Sequence, residues 1–120
     1  MSEHNLLGNE GEEKAAEYLE GKGYKIVDKN WRAGNLELDI IAEFQNRIVF
    51  VEVKCRSGNY FGEPFEAVNR KKQRFIIKAA NYYIHRFNID LEARFDIISI
   101  VKTNNKFEIE HIDDAFYPLV

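Results

Sequence analysis

The sequence has little of what marks several large classes of protein. Its 120 residues include one cysteine, Cys55, so an internal disulfide is excluded and a reducing compartment is expected. No apolar run approaches the roughly 20 residues of a membrane-spanning helix. The polar residues that follow Met1 do not resemble a secretory leader, and repeats and low-complexity segments are missing as well. We therefore expect a cytoplasmic protein that does not enter a membrane.

An excess of one charge is also missing. The 17 Lys and Arg residues nearly balance the 20 Asp and Glu residues, which leaves a net charge of -3. This balance argues against a protein that coats nucleic acid through many phosphate contacts, but it permits a local basic patch beside a group of carboxylates. The hydrophobic content of 45% is typical of a globular chain. The length predicts a single domain over residues 1–120.

Hydrophobic periodicity predicts the element order α-β-β-β-α-β-β. The expected helices cover residues 9–21, with Asn9 as the N-cap, and residues 65–87, with Phe87 on the apolar stripe. The expected strands cover residues 24–30, 36–43, 48–54, 93–102 and 106–112. This order indicates an α/β fold in which helices flank a mixed β-sheet.

The second and third strands form a predicted hairpin across residues 45–47. Alternation places two sets of second-strand side chains on opposite faces: Leu36, Leu38, Ile40 and Ala42 on one, and Glu37, Asp39, Ile41 and Glu43 on the other. On the third strand, Glu52 and Lys54 share a face with Phe50. Asp39 and Glu52 can therefore converge near one end of the hairpin.

Asp39, Glu52 and Lys54 form the strongest candidate site. Two carboxylates can hold Mg²⁺ or Mn²⁺ against a phosphate, and a lysine can orient the attacking water or stabilise the developing charge. The alternative interpretation is a solvated strand face, since charges on strands are common. The third strand is apolar on both faces, however, so charges buried there need a metal or an ion-pair cluster as compensation. Both interpretations stay open on the residues alone.

Glu12 also has two interpretations. Its spacing from Asn9 matches a capping box, in which Glu12 reaches back to the start of the helix. It also shares a helix face with Ala15, Ala16 and Leu19, which places it on the inward side, near a site.

The long second helix contains most of the candidate nucleic-acid contacts. Arg70 and Arg74 begin a polar stripe, which is either a solvated face or a track for phosphates. Lys72 and Gln73 flank the apolar stripe and can face the hairpin, while Arg56 extends the positive charge beyond Lys54.

Short motifs in a fixed order resemble the YraN family of small bacterial proteins over nearly the whole chain. They are Gly11-Glu12-x-x-Ala15-Ala16-x-Tyr18-Leu19, Gly23-Tyr24, Asn30-Trp31-Arg32, Glu37-Leu38-Asp39-Ile40-Ile41-Ala42, Val49-Phe50-Val51-Glu52-Val53-Lys54-x-Arg56, Phe61-Gly62, Glu66-Ala67-Val68, Lys72-Gln73-Arg74 and Arg94-Phe95-Asp96. That family is similar in turn to the archaeal Holliday junction resolvases and the PD-(D/E)xK nucleases.

The resemblance implies a restriction-endonuclease-like fold and a particular set of roles. Asp39 and Glu52 become metal ligands, Lys54 the catalytic lysine, and Glu12 the acidic residue of the first helix. A helix residue such as Gln73 or Lys72 is expected near the scissile phosphate. The expected activity is metal-dependent cleavage of DNA, at branched or damaged structures, by a homodimer. The alternative is a non-catalytic nucleic-acid-binding module of the same fold.

Overall fold

The computed structural model describes residues 3–58 and 68–118, which form two helices and five strands. In chain order these are α1 (Glu3–Gly21), β1 (Lys25–Ala33), β2 (Leu36–Phe44), β3 (Arg47–Ser57), α2 (Arg70–Arg86), β4 (Glu92–Thr103) and β5 (Lys106–Phe116). The predicted element order is confirmed, and so is the mixed sheet. Neither helix is long and apolar enough within the described residues to cross a membrane.

The five strands lie in the order β1-β2-β3-β4-β5. Only β3 and β4 are parallel, because α2 connects them as a crossover, and the other neighbours are antiparallel. One core cluster lies between α2 and the sheet face that contains Phe50. A second cluster lies between α1 and the opposite face, which contains Val49. The sheet is therefore covered on both sides, and β3 is its central strand.

The hairpin turn consists of Gln45 and Asn46, which have φ values of 48° and 67°. Two successive positive φ values are typical of a type I′ turn, whose twist suits a tight hairpin. From this turn the β2–β3 ladder runs only as far as the pair Ile40–Val51. Beyond it, β3 continues to pair with β4 up to Ser57. The two strands of the hairpin therefore separate at Asp39 and Glu52.

The predicted alternation along β2 is wrong in one respect. Leu36 and Leu38 pack with Ile41 in the cluster beneath α2, whereas Ile40 and Ala42 belong to the cluster beneath α1. The strand changes face at Asp39. There the Asp39 carboxylate accepts the Val53 N–H at 2.9 Å, in place of a backbone ladder bond.

Three predicted helix features need correction. α1 begins at Glu3, so Asn9 is inside the helix and does not cap it. An Asn-x-x-Glu spacing can also occur inside a helix, because asparagine destabilises the helix there by less than about 1 kcal/mol relative to alanine. α2 begins later than expected, because Asn69 is its N-cap, and Phe65 lies outside the described residues. Phe87 is the C-cap and is half exposed, so it does not extend the apolar stripe.

The strands extend beyond their predicted limits. β1 continues through Arg32 to Ala33, which leaves only residues 34 and 35 in the turn. β5 continues to Phe116, well beyond the predicted end at residue 112. The buried Phe116 ring stacks on Phe95, at 5.2 Å between centroids, and this contact holds the end of the strand against the core.

Candidate active site

A polar cleft of about 420 Å³ opens where β2 and β3 separate. Its lining residues are Gly8, Glu12, Glu37, Asp39, Glu52, Val53, Lys54, Cys55, Arg56 and Lys72. The structure thus brings together six residues that the sequence singled out, from α1, β2, β3 and α2. The cleft depends on the early end of the β2–β3 ladder, because a continued ladder would occupy the same space.

Asp39 and Glu52 are in direct contact within this cleft. The two carboxyl groups are hydrogen bonded to each other. Burial raises the pKa of Glu52 to about 8, the adjoining charge and hydrogen bond of Asp39 add to the increase, and Lys72 and Lys54 oppose it. Glu52 is therefore mostly protonated at neutral pH.

Two lysines place positive charge beside this pair. Lys54 extends from β3, two residues after Glu52, and is partly buried. Lys72 reaches across from the first turn of α2, and its Nζ lies 3.9 Å from Glu52 Oε1. Because the Lys72 side chain is 45% exposed, this ion pair is weak as a source of stability. Its effect is on the local potential, because Lys72 offsets part of the negative charge of the carboxylates in the cleft.

Glu12 faces the pair from α1, as the inward interpretation predicted. Its side chain is partly buried, and burial, followed by the charge of Asp39, raises its pKa. A hydrogen bond with the Asn30 side chain opposes that increase. The capping interpretation of Glu12 is wrong, since the helix begins at Glu3.

Gly11 explains how α1 comes so close to the cleft. A Cβ atom built at Gly11 would lie 1.9 Å from Cys55 Sγ, so a side chain there would collide with β3. Sequence reasoning included Gly11 in a motif without assigning it this packing role. Burial, with the charges of Glu12 and Asp39, raises the pKa of Cys55 to about 11. The thiol is therefore protonated at neutral pH and is a packing group.

The other predicted nucleic-acid contacts lie apart from the carboxylates. Arg70, Gln73 and Arg74 line a separate groove and do not line the cleft. The Gln73 amide donates to the Val68 carbonyl at 3.0 Å, which ties it to the start of α2. Of the two helix residues expected near a phosphate, only Lys72 lines the cleft.

The donor chemistry of the cleft fits a hard divalent cation such as Mg²⁺ or Mn²⁺. Magnesium is commonly held by one or two carboxylates, with water and substrate phosphate as the remaining ligands. Asp39 and Glu52 would be those carboxylates. Within the described residues no three side chains of His, Cys, Asp or Glu come together closely enough to hold a metal by themselves. Glu12 is therefore a candidate for indirect contact through water.

A second polar cluster lies on the sheet. Arg94 Nη2 is 2.8 Å from Asp96 Oδ2, and both side chains are buried. His111 and the Asp114 N–H also bond to Asp96. Burial alone would raise the pKa of Asp96, but these hydrogen bonds outweigh it and hold the pKa below its usual range. Asp96 pairs with Val51 in register, so it faces α1, on the side of the sheet opposite Glu52.

Fold and cleft together define a mixed α/β protein whose central strands separate around two adjoining carboxylates and two lysines. The chain belongs to the uncharacterised protein family UPF0102, whose profile matches residues 11–100. This confirms the resemblance to the YraN family.

Three relatives illustrate how closely the family members agree. A UPF0102 protein of Phocaeicola vulgatus is 51% identical over 118 residues, and the match covers 98% of each chain. One from Bacteroides thetaiotaomicron is 49% identical with the same coverage. One from Flavobacterium psychrophilum is 47% identical over 117 residues and again covers 98% of each chain. These three relatives match the chain over nearly its full length.

Proposed function

We propose that this protein is a metal-dependent endonuclease that hydrolyses phosphodiester bonds in DNA, at branched or damaged structures. The observation that carries the proposal is the contact between Asp39 and Glu52 in a cleft that also contains Lys54 and Lys72. A buried carboxyl group such as that of Glu52 is costly to a fold unless it serves a purpose, and a carboxyl group with a raised pKa in a cleft is a common sign of a functional site.

The proposal includes a restriction-endonuclease-like fold. Its support is the mixed sheet with a helix on each face, the β3-α2-β4 crossover, and the acidic residues at the point where β2 and β3 separate. Family resemblance, as described for the sequence motifs, adds to this support. A homodimer belongs to the same proposal, because the opening of a branched junction requires cuts at two sites.

Each residue of the cleft has a definite role in this proposal. Asp39 and Glu52 would hold Mg²⁺ or Mn²⁺, which when bound would polarise the phosphate and acidify water. Lys54 would orient the attacking water and offset the charge that builds up on the phosphate. Lys72 would attract the DNA backbone into the cleft. Glu12 would accept a hydrogen bond from water at the far wall.

Cleavage assays with matched variants test the proposal. Purified protein with Mn²⁺ or Mg²⁺ is incubated with linear, flapped and four-way DNA, and products are separated on denaturing gels. We expect cutting of at least one substrate and a loss of about 100-fold or more in Asp39→Asn. Asp90→Asn, which alters an exposed aspartate between α2 and β4, is the control and should cut normally. Equal inactivity of the wild type and Asp39→Asn on all substrates would overturn the proposal.

The alternative, a DNA-binding module without catalysis, is favoured by one observation. Among the described residues no three potential metal ligands come together, and Arg70, Lys71 and Arg74 form no salt bridge with a described carboxylate. This function predicts binding without metal and a steep salt dependence, which Arg74→Glu would weaken. Arg86→Glu, at the other end of α2, is the matched control. Metal-independent binding without cleavage would favour this alternative.

A further inference from the structure

A second groove lies on the flank of α2 that faces away from the carboxylate cleft. It encloses about 150 Å³ and is lined by Arg70, Gln73, Arg74, Ile77, Tyr117 and Pro118. Tyr117 follows the last residue of β5 and is 68% exposed. No acidic side chain is found among the described residues that line this groove. We call this set of residues the tyrosine groove.

The first turns of α2 separate the two sites. Arg70, Arg74 and Ile77 are spaced i, i+4 and i+7, so they form one side of the helix along the tyrosine groove. Lys72 is about 200° around the helix from Arg70, and it lines the carboxylate cleft. A helix with its side chains is about 10 Å across. A single DNA strand can therefore pass over the start of α2 and contact both sites.

The groove combines three chemical features. Ile77 and Pro118 provide an apolar floor, Tyr117 provides an exposed aromatic ring, and the two arginines provide positive charge. Aromatic rings that stack on bases, set beside cations that contact phosphates, are typical of proteins that bind single strands. A groove of about 150 Å³ has room for a single base. Charge and shape thus match an unpaired nucleotide.

We propose that the tyrosine groove holds an unpaired nucleotide of the DNA strand whose phosphodiester lies at Asp39 and Glu52. The substrate class is then DNA with a single-stranded segment next to the cut, such as a flap or a frayed branch. This inference rests on the proposed nuclease function and specifies its substrate. In it, Tyr117 stacks on the base, and Arg70 and Arg74 contact the phosphates on either side.

Binding measurements with labelled DNA test the assignment. Fluorescence anisotropy is measured in EDTA, where no cutting takes place, with a single strand, a flapped duplex and a blunt duplex of the same sequence. We expect tighter binding of the two DNAs that contain unpaired nucleotides. Tyr117→Ala should weaken their binding by about 10-fold and leave the blunt duplex unaffected. Tyr117→Phe should retain wild-type affinity, because the ring alone provides the stacking.

The control is Tyr82→Ala, which removes another exposed tyrosine (48% exposed) from α2 at a distance from the groove. It should bind all three DNAs like the wild type. The inference is overturned if Tyr117→Ala and Tyr82→Ala behave alike, or if the blunt duplex binds as tightly as the flap. If the wild type cuts DNA but either of these two results is found, only the groove assignment is wrong. A wild type that neither binds nor cuts any DNA contradicts the proposed function as well.

Discussion

At the scale of single residues, the contact between Glu52 and Asp39 makes stability depend on pH. Burial and the charge of Asp39 raise the pKa of Glu52 from 4.5 to about 8. The folded state therefore holds a proton that the unfolded chain releases. The resulting contribution to stability is fully present below about pH 4.5 and is lost as the pH rises through about 8.

Glu52→Gln should remove this pH dependence. The glutamine amide can still donate a hydrogen bond to Asp39, but it cannot ionise. Between pH 5 and 8 we expect the free energy of unfolding of the wild type to fall relative to the variant by up to about 1.4 kcal/mol per pH unit. Urea unfolding in EDTA, at a series of pH values, measures this difference.

Glu110→Gln provides the comparison, since Glu110 is an exposed residue of β5. Its pH profile should run parallel to that of the wild type. If Glu52→Gln also runs parallel to the wild type, the pKa of Glu52 is not raised as described.

Some features of the site could be predicted from the residues, and others could not. Asp39, Glu52, Lys54 and Glu12 all line the cleft. Strand alternation places Glu52 and Lys54 on one face of β3, and helix periodicity places Glu12 on the inward side of α1. The position of Asp39 does not follow from alternation, because β2 changes face there. The position of Gln73, which lies along a separate groove with Arg70 and Arg74 and not in the cleft, was not predictable. It depends on how α2 is rotated about its axis as it packs on the sheet, and sequence spacing does not define that rotation.

At the scale of the elements, Asn69 determines where α2 begins. Its side-chain oxygen accepts the Lys72 N–H at 2.9 Å, and its carbonyl accepts the Gln73 N–H. Asn69→Ala leaves the first of these donors without its partner and should lower the free energy of unfolding by about 1 kcal/mol. Asn69→Ser should cost only a few tenths of this, because serine also caps helices. Chemical denaturation measures both.

Asn81→Ala is the matched control, because Asn81 is exposed in the middle of the same helix. Alanine has the higher helix propensity, so this variant should be as stable as the wild type or slightly more stable. An Asn69→Ala protein no less stable than Asn81→Ala would show that the cap does not determine the start of α2.

The hairpin shows where element prediction succeeds and fails. Its two strands and its turn followed from periodicity and from the polar residues at 45–47. The change of face within β2 did not follow from periodicity. The sequence from Leu36 to Ala42 alternates regularly and gives no sign that the Asp39 carboxylate accepts the Val53 N–H where the ladder stops. A side chain that replaces a backbone partner leaves no periodic signal.

At the scale of the whole molecule, the burial of β3 was the most informative expectation. A strand that is apolar on both sides predicts a central position, and β3 is the third of five strands, with helices on both faces. The order of the strands and the pairing of β4 with β3 could not be read from local patterns. They follow from the crossover through α2, which brings β3 and β4 together although they are far apart in the sequence.

The proposed function depends on whether Asp39 and Glu52 bind a divalent cation. Isothermal titration calorimetry of the wild type with Mn²⁺ and with Mg²⁺, at pH 7 in buffers of different ionisation enthalpy, measures both binding and proton release. We predict saturable binding that releases a proton, because Glu52 must give up its proton when the ion binds. Glu52→Gln should lose this binding, and Glu110→Gln should retain it. Absence of saturable heat in the wild type, or equal binding by wild type and Glu52→Gln, would contradict the central claim.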